Sequence, residues 1–421
     1  VTLKRWDNDR QPEDITQHVL AVDTHKTYGN PVGQFSVTIP YTAKVNGYRY
    51  DQFVKPFDII SIDLDGGYGA GLVPVMVGLV DEPKRIKQLQ QPDGQPQRFV
   101  QLMCSDFGRI LAQHHVQWYL AISPGHIGDP QALTQAVYGA RLLAGGTPAK
   151  IATAIVDGEV WQQMPWTKEY ITSERITTPD DWYRVNITLS YQETVWQSLL
   201  SISNEPFNKL SADTLENGKF GIILEKCPFD DFGRLDLPYP RTLHMVGDSE
   251  IVTEELGTND YDRLTYLYQY VDCGIFSEPS GQNLLYLMGD AVQPDAKTGA
   301  DLVAQYGFQP YLPKSQFVPF PPPGAGRQVP PHLANYPVDD SLLRPVQART
   351  KLFWNWFKNN AAYESGLVTL HGRPDIRCGD GLVNKDTNYQ YFVEQVAHRW
   401  MLGEQILCWT TLHLTRGQPN A

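Results

Sequence analysis

"GLVTLHGRPDIRCGDGLV", residues 366–383, is the stretch whose reading decides the fold. Four glycines, a proline and two aspartates punctuate apolar residues that alternate with polar ones. Such a string suits a phosphate cradle, a metal loop or a β-sheet turning back on itself. The alternation favours the sheet: two short strands with tight turns. Gly372-Arg373-Pro374 forms one connection, because glycine admits an unusual φ and proline fixes the next. Gly379-Asp380-Gly381 forms another, a Gly/Asp turn of the type that reverses strands. Gly372, Pro374, Gly379, Asp380 and Gly381 are therefore expected to be turn residues.

Working outward, the same pattern occurs twice. "DITQHVLAVD" (14–23) matches "DRLTYLYQYVD" (262–272), each opening on an acid and closing on Val-Asp. "GQFSVTIPY" (33–41) matches "GLVTLHG" (366–372), and "PFDIISI" (56–62) matches "RPDIRCG" (373–379), pairing Asp58 with Asp375. "VMVGLVDEP" (75–83) matches "YFVEQVAHR" (391–399), with Val77 and Val80 against Val393 and Val396. "RFVQLMCSDFG" (98–108) matches "CWTTLHLTRGQ" (408–418), with Leu102 against Leu412. Five matches in one order imply two copies of one antiparallel β-unit, the second carrying a large insertion after its first strand.

The bulk composition is compatible. The 421 residues are 42% hydrophobic and 11% aromatic, with 22 Tyr and 10 Trp, which favours real cores, strands and contact surfaces. No run of about 18 apolar residues exists to span a membrane, and the first residues, "VTLKRWDNDR", lack an apolar signal core. The net charge of −12, with no Lys/Arg cluster, excludes stable nucleic-acid binding through phosphates. An acidic surface suits a passage through which nucleic acid slides without sticking. Five widely spaced cysteines without C-x-x-C (Cys104, Cys227, Cys273, Cys378 and Cys408) read as buried, reduced thiols of a protein folded in cytoplasm.

Between the repeats, residues 109–245 read as α/β. Helices are expected over 130–145 and 191–207, and a strand over 219–229. Residues 308–346 hold ten prolines, a loop or an arm over a neighbouring subunit. A helix capped by Asp339, Asp340 and Ser341 follows, its apolar stripe running through Leu343, Val346, Thr350, Phe353 and Phe357. Trp354 and Trp356 fall off that stripe, so they pack on a second element or sit at an interface. Phe320, Pro322, Phe353, Trp354, Trp356 and Phe357 are the candidate interface residues.

Motifs for catalysis or ligand binding fail on spacing. Gly-Asp-Ser at 247–249 suggests a hydrolase, yet no D-x-x-H or G-x-S-x-G occurs, and Ser249 reads as a turn residue. "GGYGAG" (66–71) lacks phosphate-loop spacing and reads as a hairpin between Leu64 and Leu72. Asp380, Asn384, Asp386 and Asn388 miss EF-hand order, and His114-His115 is not H-E-x-x-H. Adjacent acids such as Asp180-Asp181, Asp230-Asp231 and Glu254-Glu255 point oppositely on a strand. No catalytic residue, cofactor or metal is expected.

The closing segment carries a family resemblance. Gly372, Pro374, Ile376, Gly379 and Asp380, then Val393, Val396 and His398, then Thr415-Arg416-Gly417 resemble the baseplate hub proteins of contractile phage tails and related injection systems. That family includes the N-terminal part of type VI spike proteins. "FVQLMCSDFGRIL" and "WQSLLSISNEPFN…GKFGIILEKCPF" extend the likeness over 1–274 and 366–421, leaving 275–365 outside it. The resemblance implies an α+β, mainly β fold. A tube-type antiparallel β-barrel domain at 1–108 is followed by an α/β domain at 109–245. A second tube-type domain at 246–274 and 366–421 is split by a partly helical, Pro-rich insertion. It further implies a non-enzymatic homotrimer whose pseudo-sixfold ring joins the tail tube protein to a separate central spike protein in the virion tail baseplate. Wedge proteins and the tape-measure protein are further partners, and the ring leaves a channel for DNA or cargo. The competing readings are a tail-associated or receptor-binding protein of a non-contractile tail and a cell-wall hydrolase.

Overall fold

The structure, a computed structural model, describes residues 1–6, 11–66, 71–89, 96–116, 148–177, 193–203, 205, 207–261, 263–271, 290–292, 303–311, 314–315, 350–403 and 406–420. The first β-unit begins with β1 (Thr2–Lys4), β2 (Glu13–Asp14), β3 (Ala21–Thr27) and β4 (Gln34–Pro40). A small ribbon, β5 (Lys44–Val45) and β6 (Tyr48–Arg49), and the helical turn α1 (Tyr50–Phe53) then lead into β7 (Ile59–Asp65), β8 (Leu72–Leu89) and β9 (Pro96–Asp106). Period-two alternation places Val22, Val37, Ile39, Ile60, Ile62, Val100 and Leu102 in one core around Tyr50. Asp65 pairs with Leu72, so the glycine-rich string does join two strands of a hairpin.

Helix α2 (Gly108–Gln113) leads into the α/β region. There α3 (Pro148–Ile155) and α4 (Val195–Ser203) pack on a three-stranded sheet of β10 (Ile171–Ile176), β11 (Asn208–Thr214) and β12 (Phe220–Lys226). Central β12 reads as an unbroken apolar run because both its faces are covered. The helix and strand expected near 191–207 and 219–229 are α4 and β12. The helix expected over 130–145 lies outside the described residues. Ile59, Val77 and Leu79 of the first unit belong to the same core as α3, α4 and β12, so the two regions share one interior.

The second β-unit holds β13 (Leu243–Val246) and β14 (Ile251–Thr258). A satellite sheet of β15 (Tyr266–Val271), β16 (Asp290–Val292), β17 (Pro310–Tyr311) and β18 (Lys314–Ser315) follows, then a helix over 350–357. The chain returns through β19 (Glu364–His371), β20 (Gly381–Asn384), β21 (Tyr389–Leu402) and β22 (Ile406–Pro419). One sheet joins both units in the order β14-β19-β22-β21-β3-β4-β9-β8-β7-β1-β2, with β20 beside β21 and β13 beside β20. The fold is α+β and mainly β, as the resemblance implies.

The repeat is visible in the register. The order β3-β4-β9-β8-β7 recurs as β14-β19-β22-β21-β20. Val37 faces Leu102 as Val368 faces Leu412, and Ile59 faces Leu79 as Gly381 faces Phe392. Each long strand carries a bulge at the same place, Asp81 in β8 and Glu394 in β21. Before β7 and β20 stands a residue with positive φ, Phe57 at 74° and Gly379 at 88°, then a buried aspartate, Asp58 or Asp380. The N–H of Val80 donates to Asp58 O at 2.8 Å, and that of Val393 to Asp380 O at 2.9 Å.

Three expectations are corrected. The strand equivalent to β3 is β14, not the 262–272 run, whose strand β15 pairs only within the satellite sheet among the described residues. Asp58 corresponds to Asp380 rather than Asp375, and Val80 to Val393 rather than Val77 to Val393. Alternation repeats every second residue, so sequence matching finds the strands but slides along them. Finally, residues 366–383 are not a reversing hairpin. β19 and β20 are separated by β22 and β21, and residues 372–380 cross between them. Gly379-Asp380-Gly381 delivers the chain beside β21 instead of folding it back on β19. Local turn chemistry does not distinguish a hairpin from a crossover.

Candidate assembly interface

The units meet edge to edge. β21 pairs antiparallel with β3 from Gln395 opposite Thr27 to Met401 opposite Ala21. Tyr28 N donates to Glu394 O at 2.7 Å at one end, and Leu402 N to Leu20 O at 2.8 Å at the other. Val22, Thr24 and Lys26 alternate inward along β3. The buried His398 shares a 3.0 Å hydrogen bond through Nδ1 with Thr410 Oγ1. Burial, and then Arg377, hold its pKa down at about 4, so the ring is neutral.

Buried charge anchors β3, the first unit's strand at the joint. Lys26 Nζ donates to Asp106 Oδ2 at 2.5 Å and to Pro31 O at 2.8 Å. Burial lifts the Asp106 carboxyl to about 6 against the attraction of Lys26. The crossing loop is keyed into its surroundings by arginines. Arg377 donates to Thr214 O and, at 3.0 Å, to Pro74 O. Arg241 donates to Glu225 at 2.7 Å and to Cys378 O. Asp380 accepts from Arg377 N at 3.0 Å, Thr242 N at 3.2 Å and His244 Nε2 at 3.0 Å. Burial resists charging of His244, but hydrogen bonds to Asp375 and Asp380 outweigh it and lift its pKa to about 9. Asp58 repeats the motif, accepting from Lys55 N at 2.8 Å beside Arg5 Nε at 3.3 Å.

Among the described residues, two of the unpaired strand edges occupy equivalent positions in the two units. Among the described residues, β14 pairs on one edge alone, with β19. β8 pairs with β7 from Leu72 to Leu79 and with β9 from Gly78 to Leu89, so from Asp81 onward its partner among the described residues is β9 alone. These are the edges that β3 and β21 use inside the chain. Their signal was present in the sequence as "DEPKRIKQL" (81–89) and "EIVTEELGT" (250–258), one basic and the other acidic. Composition alone did not identify either run as an edge.

The residues singled out from sequence are distributed as follows. Phe353 and Trp356 are fully buried inside this chain, in a cluster with Phe207 and Phe229, and Trp356 Nε1 donates to Asp230 O at 2.7 Å. They therefore pack on a second element and are not exposed to another subunit. Trp354 and Phe357 lie partly buried at the rim of that cluster. Phe320, Pro322 and most of the proline-rich segment lie outside the described residues. Gly372 passes against Cys408, leaving no room for a Cβ. Gly379 needs its positive φ and abuts Arg241 and Tyr28.

Ser249 sits in a one-turn 3-10 helix, Asp248–Glu250. Asn384 Oδ1 accepts from Asp386 N at 2.9 Å, and Asp386 Oδ2 from Asp248 N at 2.7 Å, so these oxygens serve backbone groups. Among the described residues no group of three His, Cys, Asp or Glu side chains is arranged to hold a metal. No described helix is long and apolar enough to cross a membrane. Cys104, Cys227 and Cys378 are buried free thiols, and Cys408 is a half-buried one. Cys273 lies outside the described residues.

No protein-family model matches the sequence, and no curated protein sequence matches it. Solved structures do. A tail protein from Neisseria meningitidis MC58 superposes with a TM-score of 0.52 at 12% identity, covering 98% of this chain and 95% of that one. The 43 kDa tail protein of prophage MuSo2 from Shewanella oneidensis gives 0.48 at 10% identity, with 99% and 98% covered. Prophage tail protein gp18 from Listeria monocytogenes EGD-e gives 0.47 at 7%, with 98% and 93% covered. The Neisseria likeness extends along almost all of both chains, so the two share a fold.

Proposed function

We propose that this chain is a structural baseplate hub. In this reading three copies form a ring of six related β-units. The ring joins a tail tube to a central spike and surrounds a channel for DNA or protein cargo, in the baseplate of a virion tail. Wedge and tape-measure proteins are the further partners, and the role is mechanical rather than enzymatic. Each chain contributes a first unit ending near β9, the α/β region, and a second unit interrupted between β14 and β19.

The observation that carries the reading is the duplicated β-unit, joined edge to edge within the chain, with an equivalent edge of each unit unpaired among the described residues. A row of unpaired backbone groups is a liability unless another strand covers it. Head-to-tail pairing of such units closes into a ring when the rotation permits. Three chains of two units supply six equivalent positions, which is how a trimer meets a sixfold tube. The net charge of −12 suits a lumen that does not retain DNA. The fold shared with a tail protein supports the same reading.

Light scattering of the purified protein, followed by negative-stain imaging, tests it. Three times the 47.6 kDa chain mass and a ring with an axial hole are expected. A stable monomer at micromolar concentration, or a closed particle without a hole, would overturn it.

A further inference from the structure

The two open edges are complementary in register and in charge, and the internal joint supplies the template. Corresponding residues follow from the ladders already described. Pro83 faces Leu102 as Val396 faces Leu412, so β8 residues 82–88 take the place of β21 residues 395–401. Val22 faces Val37 as Glu254 faces Val368, so β14 takes the place of β3. Within the chain, Val396 lies opposite Lys26, His398 opposite Thr24, Arg399 opposite Asp23 and Trp400 opposite Val22. We propose that the open edge of β8 pairs antiparallel with the open edge of β14 in a second copy of this chain. In that register Arg85 is opposite Leu256, Ile86 opposite Glu255 and Lys87 opposite Glu254.

The side chains agree with that register, although nothing in the backbone argument required them to. Lys84, Arg85 and Lys87 are exposed on β8, and Glu254 and Glu255 are exposed on β14. Lys87 directly faces Glu254, Arg85 lies diagonal to it, and Lys84 lies diagonal to Glu255. Facing and diagonal positions are the ones that interact across an antiparallel pair. Before assembly the acidic edge is crowded: burial, with Asp248 and Glu364 nearby, raises the Glu254 carboxyl. A basic strand laid beside it relieves that repulsion.

The hydrogen-bonding phase also fits. Leu402 N donates to Leu20 O and His398 N to Thr24 Oγ1, so even-numbered N–H groups of β21 face β3. The matching β8 donors are Arg85 and Lys87. Pro83 has no N–H, so the ladder begins after it.

The proposal rests on the ring reading above, and the experiment separates the two. Ile86 and Glu255 fall at a non-hydrogen-bonded site, where facing Cβ atoms lie close enough for a disulfide. The variant Ile86→Cys with Glu255→Cys is oxidised and run without reductant. Beside it run the wild type and two out-of-register controls, Ile86→Cys with Thr253→Cys and Ile86→Cys with Gly257→Cys. Chain-to-chain disulfides formed several-fold faster in the in-register pair are expected. Lys87→Glu should weaken assembly by roughly fivefold to tenfold, and adding Glu254→Lys should restore it.

An assembly of three chains that cross-links equally at all sites, or best at a shifted one, overturns the edge pairing while leaving the ring reading intact. A wild type that stays monomeric overturns the ring reading, and this inference with it. Surface substitutions of this kind leave the core untouched, so loss of folding would not confuse the outcomes.

Discussion

Replacing Asp380 by Asn removes one charge and almost no volume, at a position whose side chain is 6% exposed. The carboxylate accepts three hydrogen bonds: two from the backbone N–H groups of Arg377 and Thr242, one from His244. An amide keeps one acceptor and turns an NH2 toward a donor. At least one buried donor is then unsatisfied, costing about 1–3 kcal/mol. His244 also loses one of its two carboxylate partners, leaving Asp375 at 3.5 Å. Breaking a buried pair costs up to about 3–5 kcal/mol. Because Asp375 remains, a combined loss of about 3 kcal/mol is expected. For a unit of 150–250 residues that corresponds to a fall in Tm of roughly 6–12 °C. Urea titration followed by tryptophan fluorescence, with calorimetry beside it, reads both quantities. Asp58→Asn should cost a similar amount, since Asp58 holds the same position in the first unit. A loss under about 1 kcal/mol for Asp380→Asn, with a large one for Asp58→Asn, would refute both the energetics and the equivalence.

His244 also makes stability depend on pH. Its raised pKa gives a contribution that is full below about 6.5 and fades as pH rises through about 9. That contribution reaches about 3 kcal/mol, and His244→Gln should flatten the alkaline limb of a Tm-against-pH curve. His398 acts oppositely: its contribution is present above about 6.5 and lost as pH falls toward 4, so His398→Gln should flatten the acid limb. Phe353→Ala should cost about 3–5 kcal/mol by urea titration, because the ring is fully buried against Phe207 and Trp356. Gly366→Ala would drive a Cβ into the Glu255 carbonyl, so β14 should lose amide-exchange protection while β3 and β4 keep theirs.

The sequence carried the strands better than their partners. β4, β8, β9, β19, β21 and β22 each overlap a run that alternation selects, and Leu102 and Leu412 hold equivalent positions. The alternation in β15 was equally clean, yet its partners come from the insertion, and no local signal encodes that. The first strand of the second unit was missed for a physical reason. β14 is an edge with four of its eight residues polar or charged and none buried, so no inward-facing apolar period marks it. The turn residues were legible as turns, because glycine and proline restrict the backbone locally. Where those turns led was not, because a crossover is decided by the strands at its far end. The aromatic cluster around Phe353 looked like an interface until Phe207 and Phe229, remote in sequence, were placed beside it.

Trp400 faces Val22 across the joint between the repeats, packed against the first unit's interior, where the outer positions hold Lys87 and Glu254. The two halves of that inner seam belong to one polypeptide and are never far apart. A seam of opposite charges waits for its neighbour, and releases one that docks badly. In the proposed ring the duplicated polypeptide would thus sort its two seams in time, one made at birth and one made only in company.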